Sequence, residues 1–346
     1  MDHPFPLMTD EHELRRFSMR KIWFLLIVVF LVGSVVPGWA DQSPEEVLKA
    51  VVKVHAIIPK DARSASSLGT EREGSGVVID SKGYILTIGY LINEAESIEV
   101  TGTEGKPVAA RFVGYDYATG FGLLRTDTPL NVEPIKLGQS STLKAGDPLL
   151  VVGHGGKDAV QGVRVISVKE FAGYWEYLLD NAIYTAPAYA NFGGAALIGP
   201  DGRLYGIGSL FTQIVIPGLG SLPCNLFVPI DILGPILNDL MTTGRSRKPS
   251  RPWLGINAEE AHGRIFITRV TGEGPAERAG LHNEDLILAV QGKPVSGLAD
   301  FYRKIWAAGN AGVEVPLTLL RGTQIREVTV RSGDRYEFYL QKPRKI

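Results

Sequence analysis

Three hundred and forty-six residues exceed one comfortable hydrophobic core, so two domains are expected. A chain that is 45% hydrophobic and 21% charged is neither disordered nor a polytopic membrane protein. With 36 Lys+Arg against 37 Asp+Glu the net charge is −1, and no global field draws nucleic acid or an acidic substrate.

Arg15, Arg16, Arg20 and Lys21 precede an apolar run from Ile22 to Val36, and Pro37-Gly38-Trp39-Ala40 follows. This positive, apolar, small-residue order is that of a secretory signal peptide. The run falls short of the ~20 residues that span a bilayer, so cleavage after Ala40 is expected. An anchor retained through residues 22–36 is the alternative, and Met19 is a second candidate start.

Ser43-Pro44-Glu45-Glu46 predicts a capped helix over about 44–52. From there to residue 244 short apolar runs alternate with Gly, Pro, Asp and Ser, the spacing of a β-sandwich or barrel. The polar stretch 61–73 reads as a mobile loop, and Ile230 to Met241 as a closing helix. A basic linker, residues 245–250, leads to a second domain over 251–335. Its predicted order is strand (264–270), short helix (275–280), strand (285–290), helix (297–308) and two strands (314–321, 325–331). Ser296 is the expected cap of the long helix, and Leu298, Phe301, Ile305 and Trp306 form one apolar stripe on it. Residues 336–346 read as a tail, and no internal repeat is visible. The single cysteine, Cys224, excludes an intramolecular disulfide and reads as a small buried hydrophobe. The histidines beyond residue 40 (His55, His154, His262, His282) are too scattered for a local metal motif, so neither metal nor cofactor is expected.

Five blocks carry a family resemblance. They are Gly74 through Thr87; Val113-Gly114-Tyr115-Asp116; Leu137-Gly138-Gln139-Ser140 with Ala145-Gly146-Asp147-Pro148; Asn225 through Ile230; and Arg251-Pro252-Trp253-Leu254-Gly255-Ile256. In this order, behind an export signal, the chain resembles the HtrA-type (DegP-like) envelope serine proteases. The resemblance implies a mainly β fold: a chymotrypsin/trypsin-like double β-barrel over 41–244, then an α+β PDZ domain. It also implies trimers packed through their barrels.

The family's catalytic residues do not carry over. Its histidine position is Tyr90, in Thr87-Ile88-Gly89-Tyr90, and its aspartate position is Gly120, in Gly120-Phe121-Gly122. Its Gly-Asn-Ser-Gly-Gly-Pro-Leu element aligns as Asn191-Phe192-Gly193-Gly194-Ala195-Ala196-Leu197. That puts Gly193 in the serine's place when counted back from Leu197, and Gly194 when counted forward from Thr185. Acyl transfer needs a nucleophile, a base and a group to orient the base. A phenol of ordinary pKa about 10 is a poor base at neutral pH, and glycine supplies neither of the other roles. His154 replaces an asparagine of a loop towards the oxyanion side of the family's site, and could approach the cleft. The rings of Tyr90 and Phe192 are expected to occlude it.

Trp253-Leu254-Gly255-Ile256 looks like the family's carboxylate-binding loop, whose successive backbone N–H groups would capture a peptide's terminal carboxylate, with Ile256 opening the strand that pairs with the ligand. Gly274 to Leu281 and Asp285 to Gly292 match the family's following helix and strand. The expected function is therefore that of an exported, catalytically inactive homologue in envelope protein quality control. It would bind unfolded or C-terminal peptide segments of envelope proteins, as a homotrimer or mixed with an active paralogue. An active serine endopeptidase is the alternative, and so is a structural subunit of such a paralogue.

Overall fold

The computed structural model describes residues 42–216, 218 and 220–339. The expected signal segment 1–40 and the end of the expected tail, 340–346, lie outside the described residues.

Ser43 and Glu46 form the expected capping box: the Ser43 hydroxyl accepts from the Glu46 N–H at 3.3 Å, and the Glu46 carboxylate accepts from the Ser43 N–H at 2.7 Å. The helix runs only from Pro44 to Lys49. Val51 and Val52 instead begin β1 (Val51–Ile57), because burial in a barrel suits β-branched side chains better than one more helical turn.

Twelve strands close into two antiparallel barrels. The first holds β1, β2 (Glu71–Val78), β3 (Tyr84–Ile88), β4 (Ser97–Thr101), β5 (Pro107–Tyr115) and β6 (Phe121–Thr126), in the order β1-β2-β3-β6-β5-β4. The second holds β7 (Pro148–Val152), β8 (Val160–Gly173), β9 (Tyr177–Ala186), β10 (Ala196–Ile198), β11 (Leu204–Ile216) and β12 (Gly220–Pro229), in the order β10-β11-β12-β9-β8-β7. Numbered within each barrel the two orders are the same. This topological repeat was invisible in the sequence, because pairing order leaves no fixed spacing of residue types. Ile85, Leu86, Thr87 and Ile88 of β3 are all buried, Thr87 with its hydroxyl donating to the Ser75 carbonyl at 2.7 Å, so the strand does not alternate between core and solvent.

The stretch 61–73 is not the loop expected. It holds a short helix, Ala65–Leu68, and the start of β2, and its anchor is Arg72. This guanidinium is 5% exposed and donates to the carbonyls of Gly69, Tyr90 and Asn93 and to the Ser64 hydroxyl. The closing helix after the second barrel spans Gly234–Thr243, behind a turn of 3-10 helix at Ile230–Ile232.

The last domain is a sheet in the order β13-β14-β15-β17-β18: β13 (Ile256–Ala261), β14 (Arg264–Val270), β15 (Leu286–Val290), β17 (Glu314–Arg321) and β18 (Gln324–Arg331), with β16 (Lys293–Pro294) beside β15. Helix Leu298–Ala307 closes its core, burying Leu298, Phe301 and Ile305 against Ile256, Ile265 and Leu317. Each such side chain contributes about 1.5–3 kcal/mol. Ser296 is not the cap. Glu260 of β13 accepts from the Leu298 N–H at 2.9 Å, which ties the helix to the sheet edge. Residues 336–339, expected as tail, belong to a helix, Arg335–Tyr339, that returns to the first barrel: the Tyr336 hydroxyl donates to Asp116 at 2.9 Å.

Candidate functional site

Tyr90 lies in a turn of 3-10 helix, Gly89–Leu91, just after β3. Its hydroxyl donates to the Ser209 carbonyl at 3.0 Å, and burial raises its pKa well above that of an ordinary phenol. Tyr90 is thus a fixed neutral donor and not a base.

The sequence left the serine position open between two glycines, and local geometry separates them. A Cβ on Gly193 would point at Tyr90, 3.1 Å from its hydroxyl. A Cβ on Gly194 would lie 1.9 Å from the Ser75 carbonyl oxygen, at a φ of +74°. Position 194 accepts no side chain, so 193 is the one that faces Tyr90.

Gly120 is held by its N–H to the Asp116 carbonyl (2.7 Å) and by its own carbonyl to the Gly89 N–H (2.8 Å). Its φ is +87°, and a Cβ there would lie 2.9 Å from the Tyr177 hydroxyl. Tyr177, buried at the start of β9, donates to the Thr119 carbonyl at 2.6 Å. Its ring fills the space into which a residue-120 side chain would project. Nothing in the sequence marked Tyr177, because it lies 57 residues along the chain from Gly120 and in no matched block.

The expected occlusion by two rings does not occur. Tyr90 and Phe192 line a cavity of about 600 Å³ that also meets Tyr117, Trp175, Trp253 and Arg335. His154 does not line this cavity and reaches Gly193 only through Ser75, whose N–H donates to the Gly193 carbonyl at 2.8 Å. Its Nδ1 lies 3.1 Å from the Ser75 hydroxyl and its Nε2 lies 3.5 Å from Glu73, which Lys53 pairs at 2.7 Å. This Ser, His, Glu order is a tether rather than a catalytic relay. Ser75 has no exposed surface, and its oxygen also accepts the His154 N–H at 3.0 Å. Burial lowers the His154 pKa, and the Glu73 carboxylate opposes that shift. Cys224 is buried and burial pushes its thiol pKa up, as suits an inert small hydrophobe.

The loop Trp253 to Ile256 is a carboxylate cradle, with one correction. The N–H groups of Leu254, Gly255 and Ile256 converge, but that of Trp253 donates to the Gly333 carbonyl at 3.1 Å. Gly255 sits at a φ of +79°, a left-handed conformation that turns its N–H into the cradle and favours glycine. A carboxylate occupies the cradle, and it belongs to Glu176. One oxygen accepts from Gly255 at 2.7 Å and Ile256 at 3.1 Å, and the other from Leu254 at 2.9 Å. Burial raises the Glu176 pKa against these three bonds. Glu176 closes the hairpin between β8 and β9, which reaches from the second barrel onto the last domain. Sequence reasoning found the cradle but missed its occupant, since no block resemblance covers the hairpin tip.

Among the described residues no group of His, Cys, Asp and Glu could hold a metal, and no helix is long and apolar enough to cross a membrane.

Two six-stranded barrels of one strand order, followed by a sheet-and-helix domain with a carboxylate cradle, define a trypsin-like peptidase fold joined to a PDZ domain. Residues 74–207 match the trypsin-like peptidase domain family, and residues 252–331 the PDZ domain family. The chain is 30% identical to the periplasmic pH-dependent serine endoprotease DegQ of Escherichia coli, over 93% of this chain and 78% of that one. It is 30% identical to a probable periplasmic serine protease do/HhoA-like of Haemophilus influenzae, over 75% of this chain but only 57% of that relative's length. Among solved structures, the serine endoprotease from Yersinia pestis shares 27% identity at a TM-score of 0.50, covering 85% of this chain and 99% of its own. The HtrA-type protease AlgW with decapeptide aligns at a TM-score of 0.51 over 85% of this chain and 99% of its own; at 22% identity that likeness concerns the fold. The chain belongs to the DegP/DegQ, or HtrA, family.

Proposed function

We propose that this protein is an exported, periplasmic HtrA homologue that binds polypeptide C-termini through its PDZ domain and does not hydrolyse them. The observation that carries the reading is the cradle at Leu254, Gly255 and Ile256, whose three N–H groups already hold a carboxylate. The edge of β13 lies beside it, and Ile256 with Phe301 and Ile305 supplies an apolar floor, so a peptide ending in an apolar residue fits. Catalytic inactivity is argued from the cleft. Tyr90 is a phenol with a raised pKa, position 193 has no hydroxyl, and position 120 has no carboxylate. What an emptied site retains, at best ~10³–10⁴ over water, is negligible for a peptide bond. The substrates of the relatives then become ligands here, in envelope protein quality control.

Calorimetry on the full chain tests this with nonapeptides ending in Leu, Val or Phe, as free acids and as C-terminal amides. PDZ–peptide contacts are few, so intrinsic binding should be on the order of micromolar. Amidation should weaken it by about 1.5–3 kcal/mol, the range for a hydrogen bond to a charged group. Equal affinity for acid and amide would remove the carboxylate cradle from the account.

A further inference from the structure

We propose that Glu176 is a built-in competitor of the PDZ ligand: its carboxylate takes the place of a peptide's C-terminus, and a ligand binds only by displacing the β8–β9 hairpin. The inference rests on the reading of the cradle as a peptide site and adds its regulation.

A C-terminal peptide has three things to offer such a groove: a carboxylate for the loop, backbone for the strand edge and an apolar body. The hairpin supplies each. Glu176 fills the three N–H groups with both of its oxygens and is only 6% exposed. The Tyr174 carbonyl accepts from the Ala258 N–H at 2.8 Å, at the edge of β13 that β14 leaves unpaired. Ala172 packs on the apolar core of the domain. Tyr302, from the helix opposite, fastens the turn: its hydroxyl donates to the Gly173 carbonyl at 2.8 Å and accepts from the Glu176 N–H at 3.3 Å. Outside the groove Arg303 holds Glu170 at 2.5 Å and Asp180 at 2.6 Å, on the two strands of the hairpin.

The turn conformation points the same way. Tyr174, Trp175 and Glu176 form a three-residue hairpin loop between paired Gly173 and Tyr177, and Glu176 has a φ of +56°. The last position of such loops is left-handed and ordinarily glycine. A glutamate there is conformationally unfavourable, and its side chain is what reaches the cradle. A buried carboxylate is tolerable only when fully hydrogen-bonded, and the PDZ loop provides those bonds. Two carboxylates cannot share three N–H groups, so peptide affinity in the full chain is the intrinsic value scaled by the fraction of molecules whose hairpin is undocked.

Full-chain Glu176→Gly and Glu176→Gln test this. The first accepts the left-handed φ and removes the carboxylate; the second keeps the shape and removes the charge. With the free-acid nonapeptides, both variants should bind at least about tenfold more tightly than the parent chain, as expected if the hairpin is undocked in a tenth of molecules or fewer. Amidated peptides should gain nothing. A second readout needs no ligand: the amide protons of Leu254, Gly255 and Ile256 should exchange with solvent at least about tenfold faster in Glu176→Gly. Equal peptide affinity of parent and variants, with binding still dependent on the free acid, would overturn the competition and leave the peptide site standing. No binding to any of the three proteins, with exchange accelerated, would overturn both readings and leave Glu176 a structural clasp. Unchanged exchange would overturn the occupancy itself.

Discussion

Gly120→Asp places a carboxylate at the position that the family resemblance assigns to the catalytic aspartate, and the structure says that this chain cannot accept it cheaply. A φ of +87° costs an L-residue about 1–2 kcal/mol relative to glycine. The new Cβ would lie 2.9 Å from the Tyr177 hydroxyl, which must then move off the Thr119 carbonyl and forfeit a bond worth about 0.5–1.5 kcal/mol. The sum is about 1.5–3.5 kcal/mol. At roughly 2–4 °C per kcal/mol for a domain of this size, Tm should fall by about 3–14 °C in scanning calorimetry. The clash term is separable. In the background of Tyr177→Phe the hydroxyl is gone, so Gly120→Asp should cost less there than in the parent chain, a coupling that a double-mutant cycle reads directly. The triple variant Tyr90→His/Gly120→Asp/Gly193→Ser should in consequence fail to hydrolyse casein, because the restored acid is displaced from the restored base. A Gly120→Asp chain with parental Tm and no coupling to Tyr177 would refute the reasoning.

The two glycines of the nucleophile turn should behave oppositely. Gly193→Ser should shift Tm little, since its Cβ meets the Tyr90 hydroxyl at 3.1 Å and Leu91 at an ordinary 3.9 Å, whereas Gly194→Ser, driven into the Ser75 carbonyl, should yield no folded protein by circular dichroism. Asp285 is fully buried and bidentate to Arg321 at 2.6 and 2.7 Å. Its Asn variant should lose about 3 kcal/mol in urea melts at pH 7, the low end for a broken buried pair, because Arg321 stays partly solvated. Burial opposes ionisation of Asp285, but Arg321 and the His282 N–H outweigh it and hold its pKa below the usual carboxylate range. The contribution of the pair is therefore complete above the unfolded value of about 4 and fades as pH falls through the lower folded one, so parent and variant should converge in acid. Export with cleavage after Ala40 predicts Asp41 as the N-terminal residue in mass spectra of the native chain, and an intact N-terminus would favour the anchor instead.

Whatever depends on local pattern was legible before the fold was known. The Ser43 capping box, the strand Arg264–Val270 and the apolar stripe at Leu298, Phe301 and Ile305 each follow from neighbours in sequence. The divergence at Tyr90, Gly120 and Gly193 is an expectation that rests on the register of the five blocks. Errors arose where a distant partner decides the outcome. Arg72 looked like part of a polar loop because the carbonyls it satisfies are brought in by residues up to 93. Trp253 was counted as a clamp donor because its bond to Gly333 spans 80 residues. Nothing in the sequence singled out Glu176, for its three partners lie at least 78 residues away, in another domain.

The central claim is a protease fold that binds without cutting, and intact-protein mass spectrometry after incubation with a fluorophosphonate tests it most directly, with an active serine protease treated in parallel. The account predicts that the purified chain keeps its mass, since position 193 has no hydroxyl and Ser75 is sealed behind His154. A stoichiometric phosphonyl adduct on any residue would contradict it.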